Sequence, residues 1–281
     1  MALIGDLDVQ NVSNDLIIGE LVQRELIAAS KFAGSIMDVS RFAQKGMKSI
    51  EFPKTGSFTV VKKVSETAVT AEALTYSTDS LALDQQAVVQ WHIEDKASMQ
   101  SIVELEQDAL GRASRAHARS IDVDVLAALR TAPIGVTGNS GGALRREGIV
   151  AAITALDARE VPEEDRVFGI HPDEKADMFN ITDFIDASRF GSNRIIQNGQ
   201  IGEVFGVPVV VSTLVTAGSP LMFHKEAAAI GFQMAPRYQM DKDLPNLAML
   251  HSLDQLYGVT ALLNSTPAAL NTQMCVELTA L

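Results

Sequence analysis

The chain has 281 residues, 47% of them hydrophobic and 21% charged, which is enough to bury one large core or two moderate ones and too apolar for a disordered segment. A formal net charge of -12 argues against a dedicated nucleic-acid binder, because such proteins gain most of their affinity by neutralising phosphates with Lys and Arg. The single cysteine, Cys275, excludes an intrachain disulfide and a cysteine-based zinc cluster, and points to a reducing compartment.

The opening MALIGDLDVQNVSNDL lacks the basic start and unbroken apolar core of a secretory signal, since Asp6 and Asp8 interrupt it. No run approaches the ~18 apolar residues of a membrane span, so a soluble cytoplasmic product is expected. Residues 1–45 read as an arm. Asn14 is placed to cap a short helix in which Leu16, Ile17, Leu21, Leu26 and Ile27 recur at helical spacing, and a second short segment surrounds Phe32 to Phe42.

From Lys48 to Ile93 the period changes to two, with Ile50 and Phe52, then Phe58 and Val60, then Val89, Trp91 and Ile93 alternating. Between these runs lies a polar stretch, and the whole of 46–93 reads as a long two-stranded excursion that wants a neighbour to lie on. At its tip, Thr67 to Ser80, the residues Ala68, Val69, Leu74 and Tyr76 offer apolar area among small polar residues. They and Leu16 and Leu21 of the arm are the expected intersubunit contacts.

A long helix is predicted from Lys96 to about Arg130, begun by Glu94 or Asp95 and ended by Pro133, about 50 Å in length. Ile102, Leu105, Ala109, Ala113, Ala116 and Val123 trace its expected buried face. On it Arg112, Arg115, Arg119 and His117 form a basic cluster. Asp108 and Asp122 stand at the spacing of surface ion pairs with Arg112 and Arg119, so these arginines are not assigned to phosphate.

After Pro133 the run IGVTGNSGG reads as a flexible connector and a domain boundary. An amphipathic helix is expected over Leu144–Arg159, buried on Ile149, Ala152, Ile153 and Leu156. There follow a turn through Val161-Pro162-Glu163-Glu164-Asp165-Arg166, a strand over Val167–Ile170, a helix over Asp173–Phe179, a loop over Arg189–Gly202 and a strand over Val207–Ser212. Strands return at Leu221–His224, Ala228–Met234 and Leu256–Leu263, with a polar bend at Asp241–Asn246.

One catalytic signature occurs. Gly138-Asn139-Ser140-Gly141-Gly142 fits the nucleophile elbow of a serine hydrolase, with His171, His224 and His251 downstream, but the βαβ repeats of that fold are missing before it. His92 and His117 complete a scattered set without metal-ligand spacing, and Asp241 and Asp243 lack the rest of a calcium loop. No catalytic, cofactor or metal residue is nominated, and no cofactor is expected.

Two stretches carry a resemblance: ALDAREVPEEDRVFGIHP (155–172) and QIGEVFGVPVVVST (200–213). Their wording resembles the major capsid proteins of tailed bacteriophages, closest to the shells of short-tailed phages. The resemblance implies the Hong Kong 97 capsid fold, an α+β architecture with four parts. These are an amino-terminal arm (1–45), an extended β-hairpin loop (46–93), a peripheral domain with a long spine helix (94–135 and 224–281) and an axial α/β domain (136–223). It implies no enzyme but a self-assembling icosahedral shell of pentamers and hexamers, enclosing double-stranded DNA without sequence-specific binding and without a membrane. A separate scaffolding protein, a portal protein and a possible decoration protein are the implied partners, and the implied location is the virion capsid, assembled in the host bacterial cytoplasm. The Lys–Asn crosslink of some relatives, for which Lys62 or Lys63 would serve, is not adopted. An encapsulin-like compartment is the alternative within the fold, and a hydrolase using Ser140 the alternative outside it.

Overall fold

The computed structural model describes residues 30–55, 60–63, 65, 71, 76–101, 105–139, 143–179, 202–263 and 273–280. These fall into two compact units, the first drawn from 1–48, 82–128 and 229–260, the second from 49–81, 129–228 and 261–281.

Strict alternation builds the sheet of the first unit. In strand β4 (Gln85–Glu94), Ala87, Val89, Trp91 and Ile93 are half-buried while their neighbours face solvent, the pattern of a strand covered on one face. Strand β11 (Ala248–Ala261) runs antiparallel to it, in register from Ala248 opposite Glu94 to Tyr257 opposite Gln85. Strand β10 (Ala228–Asp243) lies on the far side of β11, and the two-residue β1 (Met37–Asp38) pairs parallel to β10, giving the order β1-β10-β11-β4. Strand β10 runs nine residues beyond the expected Met234. Its polar second half has no hydrophobic signature, and the ladder with β11 holds it.

The long helix divides. Helix α1 (Asp95–Gln100) has no buried residue and ends at Ser101, whose ψ of 138° is extended. Helix α2 (Leu105–Leu129) is the spine, 25 residues or about 38 Å at the usual rise. With no apolar face to bury, the first turn and a half is not held to the helix that follows. The expected stripe also needs correction. Leu105 and Ala109 are half-buried and Ala113 is buried, but Ala116 and Val123 are exposed, and Ile102 lies outside the described residues. The buried face is a double row, Ala113, Ser114, His117, Ala118, Ile121, Asp122, Val125 and Leu126. Three of its members are polar, so a hydrophobic count misses them. Ala113 packs with Tyr238 and Leu253, flanked by Val89, Trp91 and Leu110, which seats α2 on the sheet. At Gly258 of β11, a Cβ would stand 2.0 Å from the carbonyl oxygen of Ala82, so only glycine permits that approach.

The second unit is a mixed sheet in the order β5-β12-β9-β6-β8-β7, formed by β5 (Ile134–Asn139), β6 (Arg166–Ile170), β7 (Glu203–Val204), β8 (Val207–Val211), β9 (Leu221–His224) and β12 (Cys275–Ala280). The expected connector after Pro133 is instead the edge strand β5, parallel to β12 from Ile134 opposite Val276. Its glycines hide a strand made by that pairing. Helix α3 (Arg146–Asp157) packs on β5 and β12 through Gly148, Ile149, Ala152 and Leu156. Ile153 is half-buried. Helix α4 (Pro172–Phe179) follows β6. Gln273 stitches the unit together: its Oε1 accepts from Ala132 N at 3.0 Å, and its Nε2 donates to Ala227 O at 3.0 Å. A two-stranded ribbon of β2 (Ser49–Thr55) and β3 (Tyr76–Ala82) completes this unit. The expected excursion over 46–93 is corrected at its far end, because Val89, Trp91 and Ile93 belong to β4, which the ladder with β11 holds in the sheet of the first unit.

Candidate assembly surfaces

The ribbon is tied by an ion pair toward its outer end, and the described apolar residues there are exposed. Lys54 of β2 pairs with Asp79 of β3 across the ladder, and the same Asp79 oxygen accepts from Leu263 N at 2.8 Å. Ile50 and Leu81 are buried near this clasp. Tyr76, at the start of β3, is 69% exposed, Val60 is 88% exposed and Val61 62%. Of the expected contact residues, Tyr76 is therefore found uncovered, while Leu16, Leu21, Ala68, Val69 and Leu74 lie outside the described residues. Lys62 and Lys63 are exposed.

Residues 30–32 are held to the spine helix by one carboxylate. Asp122, buried on α2, accepts from Ser30 Oγ at 2.9 Å, Lys31 N at 2.9 Å and Phe32 N at 3.0 Å, and Phe32 is wholly buried beside it. A carboxylate that gathers donors from three consecutive residues acts as a clasp. The expected exposed pair between Asp122 and Arg119 is corrected by this geometry. The pair of Asp108 with Arg112 is present at 3.0 Å.

The Val-Pro-Glu-Glu-Asp-Arg turn owes its form to its last residue. The Arg166 guanidinium, almost wholly buried, donates to Pro162 O at 2.7 Å and Val161 O at 2.5 Å and pairs with Asp157 at 2.7 Å. It thus folds the turn back on the end of α3, with Glu160 and Asp165 at φ 58° and 56°, while Glu163 and Glu164 point to solvent. The second signature stretch makes a two-residue hairpin, β7 to β8, turned by Phe205 (φ 50°) and Gly206 (φ 80°). Positive φ at both positions matches the twist of the strands, but Phe is an unusual occupant. Between turn, hairpin and α3 lies a cavity of about 550 Å³ lined by Val150, Ile153, Glu163, Glu164 and Phe205 among others.

The histidines downstream of the nucleophile-elbow motif have structural partners. His171 Nδ1 accepts from Asp173 N at 3.3 Å, and Glu174, three residues on, accepts from His171 N at 2.7 Å, a reciprocal cap on α4 that Pro172 opens. Glu174 also accepts from Gly218 N at 2.8 Å, and burial pushes its carboxyl above the ordinary value. His224 accepts from Glu226 N at 3.2 Å. His251 lies parallel to Trp91 at 5.5 Å and meets the Tyr238 hydroxyl at 2.5 Å, which in turn donates to Glu106 at 2.7 Å. Burial holds the His117, His224 and His251 imidazoles below their ordinary range. Ser140 lies outside the described residues. Among the described residues, no group of three or more His, Cys, Asp or Glu is placed to hold a metal ion.

Asp122, Arg166 and Asp79 were not foreseen. The sole trace of Arg166 in the sequence is a cation closing an acidic turn directly before an apolar strand.

A family model described as phage capsid protein matches residues 58–250. No curated protein sequence matches the chain. Among solved structures, a chain of Mycobacterium phage Che8 superposes with a TM-score of 0.74 at 18% identity, over 89% of this chain and 90% of that one. The capsid structure of the cyanophage P-SCSP1u gives 0.63 at 18% identity, over 88% and 86%. The capsid of a native GTA particle gives 0.64 at 12% identity, over 90% and 91%. At these identities the likeness is one of fold.

Proposed function

The chain belongs to the phage capsid protein family, and from that premise we propose that it is the major subunit of an icosahedral shell enclosing double-stranded DNA, built from rings of five and six copies. Its place is the virion capsid. In this reading 1–45 is an arm laid across neighbours, 46–93 an extended loop, 94–135 with 224–281 a peripheral domain and 136–223 an axial domain, with β4 returning from the loop to the first unit's sheet and β12 to the second's. A separate scaffolding protein guides assembly in the host cytoplasm, a portal protein occupies one vertex, a decoration protein is a possible addition outside, and the wall holds DNA without reading its sequence.

The observation that carries this reading is the ribbon, anchored by Lys54, Asp79 and Leu263 and apolar beyond the anchor at Val60, Val61 and Tyr76. A two-stranded ribbon is marginal alone, and uncovered apolar side chains on it favour a neighbouring copy as the surface it lies on. The acidic balance suits a container wall, which must not grip the polymer. The protein is expected to have no catalytic role: Ser140→Ala should leave assembly unchanged, and a serine-directed phosphonate should not label it. Negative-stain microscopy and sedimentation of the protein produced with a scaffold test the main claim. Closed particles or five- and six-membered rings are expected, and a stable monomer at high concentration would refute the reading.

A further inference from the structure

Resting on that reading, we propose that neighbouring copies in a ring are joined head to tail in the second unit, with Arg145 of one copy entering the acid-rimmed cavity beside Glu163, Glu164 and Phe205 of the next.

The two halves of this contact sit at opposite ends of α3. At its start, Arg145 is the N-cap residue, exposed, with Arg146 following it. Asp177 fixes this corner by accepting from Leu144 N at 3.0 Å, so Arg145 is held out from an anchored backbone. Beyond the other end lie Glu163 and Glu164, both exposed, on the turn that the Arg166 guanidinium makes rigid. Arg145, Glu163 and Glu164 have no ion-pair partner among the described residues.

For α3 itself these charges are misplaced. A helix favours anions at its amino end and cations at its carboxyl end. Here an arginine pair stands at the positive end, with Glu147 the one acid of the first turn, and the exposed acids lie past the negative end. Helix stability therefore does not explain the arrangement, whereas complementarity between two copies does.

The cavity fits the side chain that would enter it. Its lining includes Val150, Ile153 and Phe205, the last 51% exposed, and also Arg166, whose guanidinium is already committed to Asp157 and the turn carbonyls and so leaves the Glu163 and Glu164 carboxylates uncompensated. An arginine stem lies well on such a lining, its guanidinium can stack on an aromatic face, and two carboxylates at the rim accept its fork. Phe205 holds a φ of 50°, a conformation that residues other than glycine adopt at a cost. Because the donor and acceptor patches differ, the contact is heterologous, and rotation between copies closes it into a ring in which every junction is alike.

A charge swap tests the contact on the full chain. Arg145→Glu alone, and Glu163→Arg with Glu164→Arg, should each raise the protein concentration needed for particles by about ten-fold or more. All three substitutions combined should restore assembly toward the wild-type concentration. Circular dichroism and melting of the unassembled subunits establish that each variant folds, as exposed positions should allow. If one fails to fold, Arg145→Gln and Glu164→Gln replace it, and a weakened salt dependence of assembly is then the expected result. Two outcomes overturn the contact: variants that assemble like the wild type, or impaired variants that the combination does not rescue. A wild-type chain that never forms particles instead overturns the shell reading on which the contact rests.

Discussion

Arg166 shows how much of a motif can hang on one side chain. Its guanidinium satisfies two turn carbonyls and the Asp157 carboxylate in a nearly water-free site, so Arg166→Ala strands those acceptors and is expected to cost about 3 kcal/mol. Arg166→Lys should recover little, because an ammonium cannot span the same fork. Chemical denaturation of the subunit measures both. Asp122 has a different consequence. Asp122→Ala removes the acceptor of the Ser30 hydroxyl and of the Lys31 and Phe32 amides, and should lower stability by about 2 kcal/mol while exposing the Lys31–Phe32 bond to trypsin. Unchanged cleavage there would mean the clasp does not hold the segment. Gln255 lies fully buried in β11, and its amide has no partner among the described residues. Gln255→Met removes an unmet polar demand at similar volume and should stabilise the fold, read as a raised melting temperature.

At the level of elements, what the sequence disclosed followed periodicity. The alternation of Val89, Trp91 and Ile93 marked β4, the spacing of Ile149, Ala152 and Leu156 marked α3, and the apolar runs at 167–170, 207–211 and 221–224 marked β6, β8 and β9. What it concealed depends on partners distant in sequence. Strand β5 reads as a linker because of Gly135 and Gly138, and only its ladder with β12 makes it a strand. Strand β12 itself, CVELTA, is interrupted by Glu277 and Thr279 and so has no apolar run to announce it. The break at Ser101 went unseen because Asp95–Gln100 carries ordinary helix formers and reveals its lack of a buried face only in three dimensions. Of the candidate surfaces, the ribbon was legible as a polar excursion with scattered apolar residues, but its anchor at Asp79 was not, since one aspartate among Ser and Thr has no distinctive signal. Gly258→Ala tests close packing at this scale. A Cβ facing the Ala82 carbonyl at 2.0 Å forces the backbone apart, with an expected loss of about 1–3 kcal/mol in thermal or chemical unfolding.

Across the whole molecule, the buried histidines set a pH dependence. His117, His224 and His251 bind a proton less readily folded than unfolded, chiefly because burial disfavours the charge. Their contribution is therefore intact above the unfolded value of about 6.5 and is lost as pH falls below it, where the unfolded chain takes up more protons. Glu174 works in the opposite sense: its raised folded value gives a contribution present at low pH that fades as pH rises through that value. Three groups against one predict a subunit that melts at lower temperature at pH 5.5 than at pH 7.5, and His117→Gln should flatten that slope. An unchanged slope in His117→Gln would remove His117 from the account.

The mixed α+β architecture expected for a phage capsid subunit is the one the chain adopts, and the central claim is that its ribbon serves assembly and not folding. Deleting Thr67 to Leu74 tests this most directly, because it removes the expected apolar tip while leaving Asp79 and its ties to Lys54 and Leu263 in place. Shortening a loop changes closure entropy by only about 0.6 kcal/mol per halving. Sedimentation velocity of the deletion variant, alongside its melting curve, should show a cooperatively folded subunit that no longer forms particles. A variant that builds normal shells, or one that unfolds as a monomer, would contradict the claim.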